Sequence, residues 1–234
     1  MSLWMLIFIF AAPMLGGLIA LVFRSQAQMN YRIVLSFSGA FLFTIILLHL
    51  FPLVFQNTPH AGMLVLLGFF IQIFLEQLTH GIEHGHFHAH EQGGIYISSL
   101  IVGLSIHSFL DGIPLSSKQL LEQTHNGLLY GIGIHKIPEG FALASILIIS
   151  NYKTSVSAFY LFLFSLIAPA AMLLGNYFQS NQSALLNSLI AVAVGSFLHV
   201  ATTILFESES AAHRFGWRRI IAIMSGAGLA LLFT

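Results

Sequence analysis

Two short stretches decide how this chain is read: His107-Ser-Phe-Leu-Asp111-Gly112 and His135-Lys-Ile-Pro-Glu139-Gly140. Each lies inside a strongly apolar run, and each sets an imidazole and a carboxylate four residues apart. On a helix that spacing puts both groups on one face. Ionisable groups in hydrocarbon are costly and by default mark a site. Two such helices side by side can enclose a cation with nitrogen and oxygen ligands.

The rest of the chain supplies the hydrocarbon. Of its 234 residues, 57% are hydrophobic and 7% charged, and the mean hydropathy is +0.88. Soluble domains carry about 25% charged residues, so this composition cannot build a water-facing surface. The formal net charge of +0 gives no support for a nucleic-acid partner. With no Cys, thiolate metal sites and disulfides are excluded. Histidine is over-used: 12 residues, against 8 Lys+Arg and 8 Asp+Glu. The opening Met-Ser-Leu-Trp-Met-Leu-Ile-Phe-Ile-Phe has neither a basic lead-in nor a small-x-small cleavage pattern. It reads as a first membrane helix.

Spans of about 20 apolar residues are needed to cross a bilayer. Eight fit: Leu3 to Phe23, Ile33 to Phe55, Gly62 to Glu83, Ile95 to Pro114, His125 to Ser150, Ser155 to Phe178, Leu185 to Phe206, and Trp217 to Phe233. Linkers are short, so residues 1–234 are expected to form one all-α polytopic membrane domain. Arg24, Arg32, Lys153, Arg214, Arg218 and Arg219 fall on one side of this arrangement, and Lys118 alone on the other. The positive-inside rule makes the first side cytoplasmic and puts both termini outside. The compact chain favours a bacterial inner membrane. Pro114 and Pro138 lie in the fourth and fifth spans, where each is expected to free a carbonyl and bend the helix beside the ionisable pairs.

The ligand set His107, Asp111, His135 and Glu139 suits Zn²⁺, with Fe²⁺, Mn²⁺ or Cd²⁺ less well discriminated. Without a cation, two adjacent carboxylates repel and one tends to stay protonated. Lys136 bears on this directly. It either weakens a nearby metal by repulsion or pairs with Asp111 or Glu139 and holds the site when empty. Lone His199 and His49 fit ordinary interhelical hydrogen bonds better than ligation. Glu76 with His80, and Glu207 with Glu209, read either as an exit relay or as interfacial helix caps. Residues 84–94 form a His-rich cytoplasmic loop in which His84, His86, His88 and His90 alternate. Such a tract signals metal capture by composition, and equally suits a flexible or pH-sensitive linker.

At this point the chain resembles the ZIP family of divalent metal transporters. The resemblance rests on His107, Ser108, Asp111 and Gly112 in the fourth span, and on His135 to Gly140 in the fifth. Further echoes are His49-Leu-Phe-Pro52 and Gly195-Ser-Phe-Leu-His199-Val. It implies an inverted-repeat bundle in which one helix group moves against the other. It also implies uptake of a divalent cation, Zn²⁺ above all, and a primary site of His107, Asp111 and Glu139. The family's second metal position looks altered, since Ser108, Lys136 and Ala168 stand where the resemblance implies ligands. No cofactor is implied, and the expected partners are metal ions, lipid and, as one option, a second copy of the chain in a homodimer. Rival readings are an intramembrane zinc-dependent hydrolase and a non-transporting metal sensor.

Overall fold

A computed structural model describes residues 2–23, 28–79, 81, 94–206 and 216–233. Every regular element among them is helical. In chain order these are α1 (Leu3–Phe23), α2 (Gln28–Ile45), a π-helical turn (Ile46–Leu50), α3 (Phe51–Asn57), α4 (Ala61–Thr79) and α5 (Gly94–Gly112). A 3₁₀ turn at Pro114–Ser116 leads to α6 (Lys118–Gln123), α7 (Gly127–Ile149), α8 (Thr154–Asn181), α9 (Ser183–Phe206) and α10 (Trp217–Ala230). A 3₁₀ turn follows at Leu231–Phe233. The chain is a polytopic all-α membrane protein.

Seven of the described helical segments are long and apolar enough to cross a bilayer. The eighth expected span is the shorter α10 with its 3₁₀ turn, 14 and 3 residues long, packed along α2. Leu, Ile and Phe side chains remain exposed along the helices, among them Leu66, Phe70, Leu173 and Ile221. A bilayer rather than water is the solvent that such a surface fits.

The prolines occupy different positions in the helices. Pro138 lies inside an unbroken α7, and Pro114 sits just past the end of α5 at the start of the 3₁₀ turn. The interruption comes instead at Pro52, which offers no N–H to the carbonyl one turn earlier. There the Phe51 N–H reaches back to the Ile46 carbonyl, an i→i+5 bond that widens the helix into a π turn containing His49.

The most extensive contacts pair α1 with α7, α4 with α9 and α2 with α10, and around these pairs the helices can be grouped into two sets, although α2 packs on α7 as much as on α9. α1 lies against α7 and α8, and α5 against α8; α4 lies against α9, and α2 against α10 and α9. The sets meet along a seam where α2 faces α7 and α4 faces α5. Within the sets the backbones nearly touch. A Cβ on Gly16 would overlap the Ile137 carbonyl oxygen, and one on Gly140 the Pro13 carbonyl oxygen. Gly68 against Val192 and Gly195 against Val65 repeat the arrangement between α4 and α9. Small residues at such crossings let membrane helices pack backbone to backbone, gaining dispersion where lipid supplies no hydrophobic drive.

Candidate metal site

α5 and α7 bring the two motifs together. His107, Asp111, His135, Lys136 and Glu139 are each at most 1% exposed. The Nε2 of His107 stands 3.3 Å from Glu139 Oε1, and the Nε2 of His135 stands 3.2 Å from the same oxygen. One atom from each of His107, His135 and Glu139 falls within 4.8 Å of the others. The two imidazole rings are edge to face, with centroids 6.2 Å apart.

Lys136 occupies the other side of this centre. Its ammonium donates to Glu139 Oε2 at 2.6 Å and to Asp111 Oδ2, while Nζ lies 5.9 Å from the centre of the Phe164 ring. Asp111 is thereby drawn towards Lys136, although its Oδ2 is also 3.6 Å from His107 Nε2. Of the four sequence-derived ligands, the structure groups His107, His135 and Glu139 as the compact set and holds Asp111 beside the lysine. Ser108, next to His107 in the chain, is buried as well.

The converging atoms are the ones left without hydrogen bonds. His107 Nε2, His135 Nε2 and Glu139 Oε1 have no hydrogen-bond partner, nor does Asp111 Oδ1. Buried polar groups without partners cost about 1–3 kcal/mol each, so a cluster of them calls for an explanation. Tetrahedral zinc with ligands at about 2.0–2.1 Å separates neighbouring ligand atoms by about 3.3–3.4 Å. The 3.2 and 3.3 Å spacings around Glu139 Oε1 are of that size.

The outer ring nitrogens are occupied by residues that sequence reasoning did not single out. His107 Nδ1 is 3.2 Å from Gln72 Oε1 on α4, which also accepts from Ser196 Oγ on α9 at 2.7 Å. His135 Nδ1 is 3.5 Å from Ser38 Oγ on α2. The sequence does carry a signal for Gln72: a lone amide within Phe69-Phe-Ile-Gln72-Ile-Phe74, in a span otherwise apolar at that depth.

Further along the same two helices, His199 Nε2 bonds Glu76 Oε2 at 2.6 Å, with Phe69 edge-on to the imidazole. That is the interhelical hydrogen bond expected of a lone membrane histidine. His49 differs, since its buried Nε2 has no hydrogen-bond partner. At the opposite end of α5, a cavity of about 530 Å³ is lined by residues including Ser116, Glu122, His125 and Asn176. His80, His84, His86, His88, His90, Glu207 and Glu209 lie outside the described residues.

The site geometry and the motifs therefore point to one kind of membrane protein, and the family model described as "ZIP Zinc transporter" matches residues 91–234. The chain belongs to the ZIP zinc transporter family. It is 32% identical over 146 residues to "Protein zntD" of Dictyostelium discoideum, covering 55% of this chain and 21% of that protein. It is 26% identical over 138 residues to "Zinc transporter foi" of Drosophila melanogaster, covering 57% of this chain and 19% of that one. The chain thus spans about a fifth of the length of these curated relatives. The family match takes in α5 and α7, which carry the candidate ligands, and leaves α1 to α4 outside it.

Proposed function

We propose that this ZIP chain carries a divalent cation, Zn²⁺ first among Zn²⁺, Fe²⁺, Mn²⁺ and Cd²⁺, across a membrane into the cytoplasm. The observation that carries the reading is the convergence of three buried ligand atoms, His107 Nε2, His135 Nε2 and Glu139 Oε1, none of which has a hydrogen-bond partner. Asp111 is the nearest further carboxylate. It completes the coordination when its Oδ1 turns to the ion, or leaves that position to water.

Lys136 makes this a one-metal site. Its ammonium takes one oxygen from each carboxylate, the atoms a second ion would need. With both carboxylates ionised and Lys136 protonated, the three side chains sum to −1, so a single divalent cation leaves the group at +1. A second cation would face two positive neighbours at a few ångströms in a dry pocket, a repulsion of several kcal/mol even at an effective dielectric constant of about 20. α8 supplies no compensating carboxylate there. Ala168 is buried, and its backbone closes on Gly112 of α5.

Residues 1–234 act as one transmembrane unit in this reading, with both termini outside a bacterial inner membrane. The cavity at the outer end of α5 is the approach for hydrated metal. The segment 84–94 receives the ion on the cytoplasmic side, where its alternating histidines bind and release it. Hydrolysis is disfavoured because the candidate ligands are at most 1% exposed, which suits an ion and not a bulky scissile bond.

Purified protein in liposomes enclosing a zinc-sensitive dye tests the proposal. Saturable Zn²⁺ influx, abolished by Glu139→Ala, is expected. Influx at the rate of empty liposomes, from folded and inserted protein, would contradict it. The His84, His86, His88 and His90→Ser variant keeps substantial flux if the loop only tunes delivery, and loses all flux if the loop is an obligatory step.

A further inference from the structure

Both candidate ligand histidines are held from behind, and in both cases from across the seam. His107 stands on α5 and His135 on α7, whereas Gln72, Ser196 and Ser38 stand on α4, α9 and α2, in the other helix set. Gln72 and Ser196 are both fully buried. A buried amide is tolerated only when its hydrogen bonds are made. In a run of Phe and Ile, packing alone gives no reason for one.

We propose that Gln72, braced by Ser196, is the positioning residue that fixes His107 in its metal-binding tautomer, and that Ser38 does the same for His135. The inference rests on the metal-site reading above. Gln72 Oε1 is a carbonyl oxygen and only accepts. It receives the Ser196 hydroxyl at 2.7 Å and faces His107 Nδ1 at 3.2 Å, so that nitrogen carries the ring proton. A neutral imidazole protonated at Nδ1 has its lone pair on Nε2. That is the atom without a hydrogen-bond partner, turned towards Glu139 Oε1. Ser38 works by the same logic. Its hydroxyl proton is committed to the Leu35 carbonyl at 3.0 Å, so it presents lone pairs to His135 Nδ1. At 3.5 Å this second bond is the longer and weaker of the two.

These contacts matter because of the competing state. With the proton on Nε2, either imidazole would turn an N–H instead of a lone pair towards Glu139 Oε1, 3.2 to 3.3 Å away. That nitrogen could not ligate an incoming cation until its proton had left. By holding the proton at Nδ1, Gln72 and Ser38 keep both Nε2 lone pairs available to the ion. Partners of this kind on metal-binding histidines typically change metal affinity by about 10–100-fold. Because they come from the opposite helix set, the ligands are correctly oriented only while the two sets are docked as seen here.

The test is Zn²⁺ titration of the purified full-length protein in detergent, with ¹⁵N-histidine spectra of the metal-free protein to report the tautomer. Gln72→Leu keeps the volume and removes the acceptor, and its affinity should fall by about 10–100-fold. Its His107 signals should lose the Nδ1–H pattern. Gln72→Glu restores an acceptor oxygen and should recover both affinity and tautomer, which a residue serving only to fill space would not do. Ser196→Ala, which removes one hydrogen bond to Gln72 Oε1 without altering the seam, should give a smaller loss in the same direction, and Ser38→Ala the smallest. It also keeps the test open should Gln72→Leu fold poorly. Glu139→Ala runs beside them. If it loses Zn²⁺ while folded Gln72→Leu and Ser196→Ala bind as the unmodified protein does, the positioning role is overturned and the metal site stands. If Glu139→Ala itself binds like the unmodified protein, the metal site and the inference fall together.

Discussion

The crossings of α1 with α7 and of α4 with α9 differ in kind from the seam between the two helix sets. At the crossings, Gly16, Gly140, Gly68 and Gly195 bring backbone against backbone with no room for a methyl group. At the seam, side chains do the joining: polar ones, Gln72 to His107 and Ser38 to His135, beside apolar ones such as Phe41 and Leu42 over Gly131. Dry contacts of the first kind have one close-packed arrangement and resist change. Hydrogen-bonded contacts of the second kind can be exchanged for others, including bonds to water or an ion. α7 belongs to both regions. One part of it lies on α1 at Gly140, while His135, Lys136 and Glu139 form the polar centre. A rigid mount therefore lies one residue from the candidate ligand Glu139.

Substitutions at the crossings are expected to have the largest effect, and on folding rather than on binding. Gly195→Val or Gly140→Val forces a branched side chain into a facing backbone, beyond the ordinary overpacking cost of about 1–3 kcal/mol. Fluorescence-detected size-exclusion chromatography should show loss of the monodisperse peak. A normal peak with normal thermal stability would mean that these crossings are looser than described.

A change at the polar centre should be intermediate and should depend on metal. Lys136→Met leaves Asp111 and Glu139 as buried neighbours without their shared ammonium, so the empty protein should melt at a lower temperature than the unmodified one. Zn²⁺ should then raise its melting temperature by more than it raises that of the unmodified protein, because the ion replaces the missing charge. Equal melting temperatures without metal would show that Lys136 does not hold the empty site together.

The smallest effect is expected at Gly228 on α10, where a Cβ would meet nothing within 4 Å. Gly228→Ala should leave the chromatogram unchanged and alter stability by no more than about 1 kcal/mol, in the stabilising direction set by helix propensity. Set beside Gly195→Val, it separates the cost of lost space from any general sensitivity to replacing glycine.

The long spans were legible because about 20 apolar residues in a row have few other uses. The two ionisable pairs were legible because four-residue spacing fixes a common helix face. That the pairs could meet around a cation was legible in their spacing and their place in hydrocarbon, and the family resemblance added to it. What stayed hidden depends on partners distant in the chain. Glu76 takes the imidazole of His199 on α9, a partner that no local spacing indicates. The π turn before Pro52 was missed because a missing donor can be met by a kink, a break or a wider turn, and local sequence does not choose among them. With 20 glycines in the chain, those at close crossings cannot be told from the rest before the helices are paired. Lys136 was open in the same way. Its number places it beside the site, and only packing turns it onto Asp111 and Glu139.

Anomalous diffraction at the zinc edge from crystals grown with Zn²⁺ tests the central claim most directly. One strong peak is predicted within the membrane-spanning region, at about 2.0–2.1 Å from His107 Nε2, His135 Nε2 and Glu139 Oε1, with Lys136 still bound to Asp111. A close pair of zinc peaks at that position, or a peak elsewhere with these three atoms uncoordinated, would contradict it.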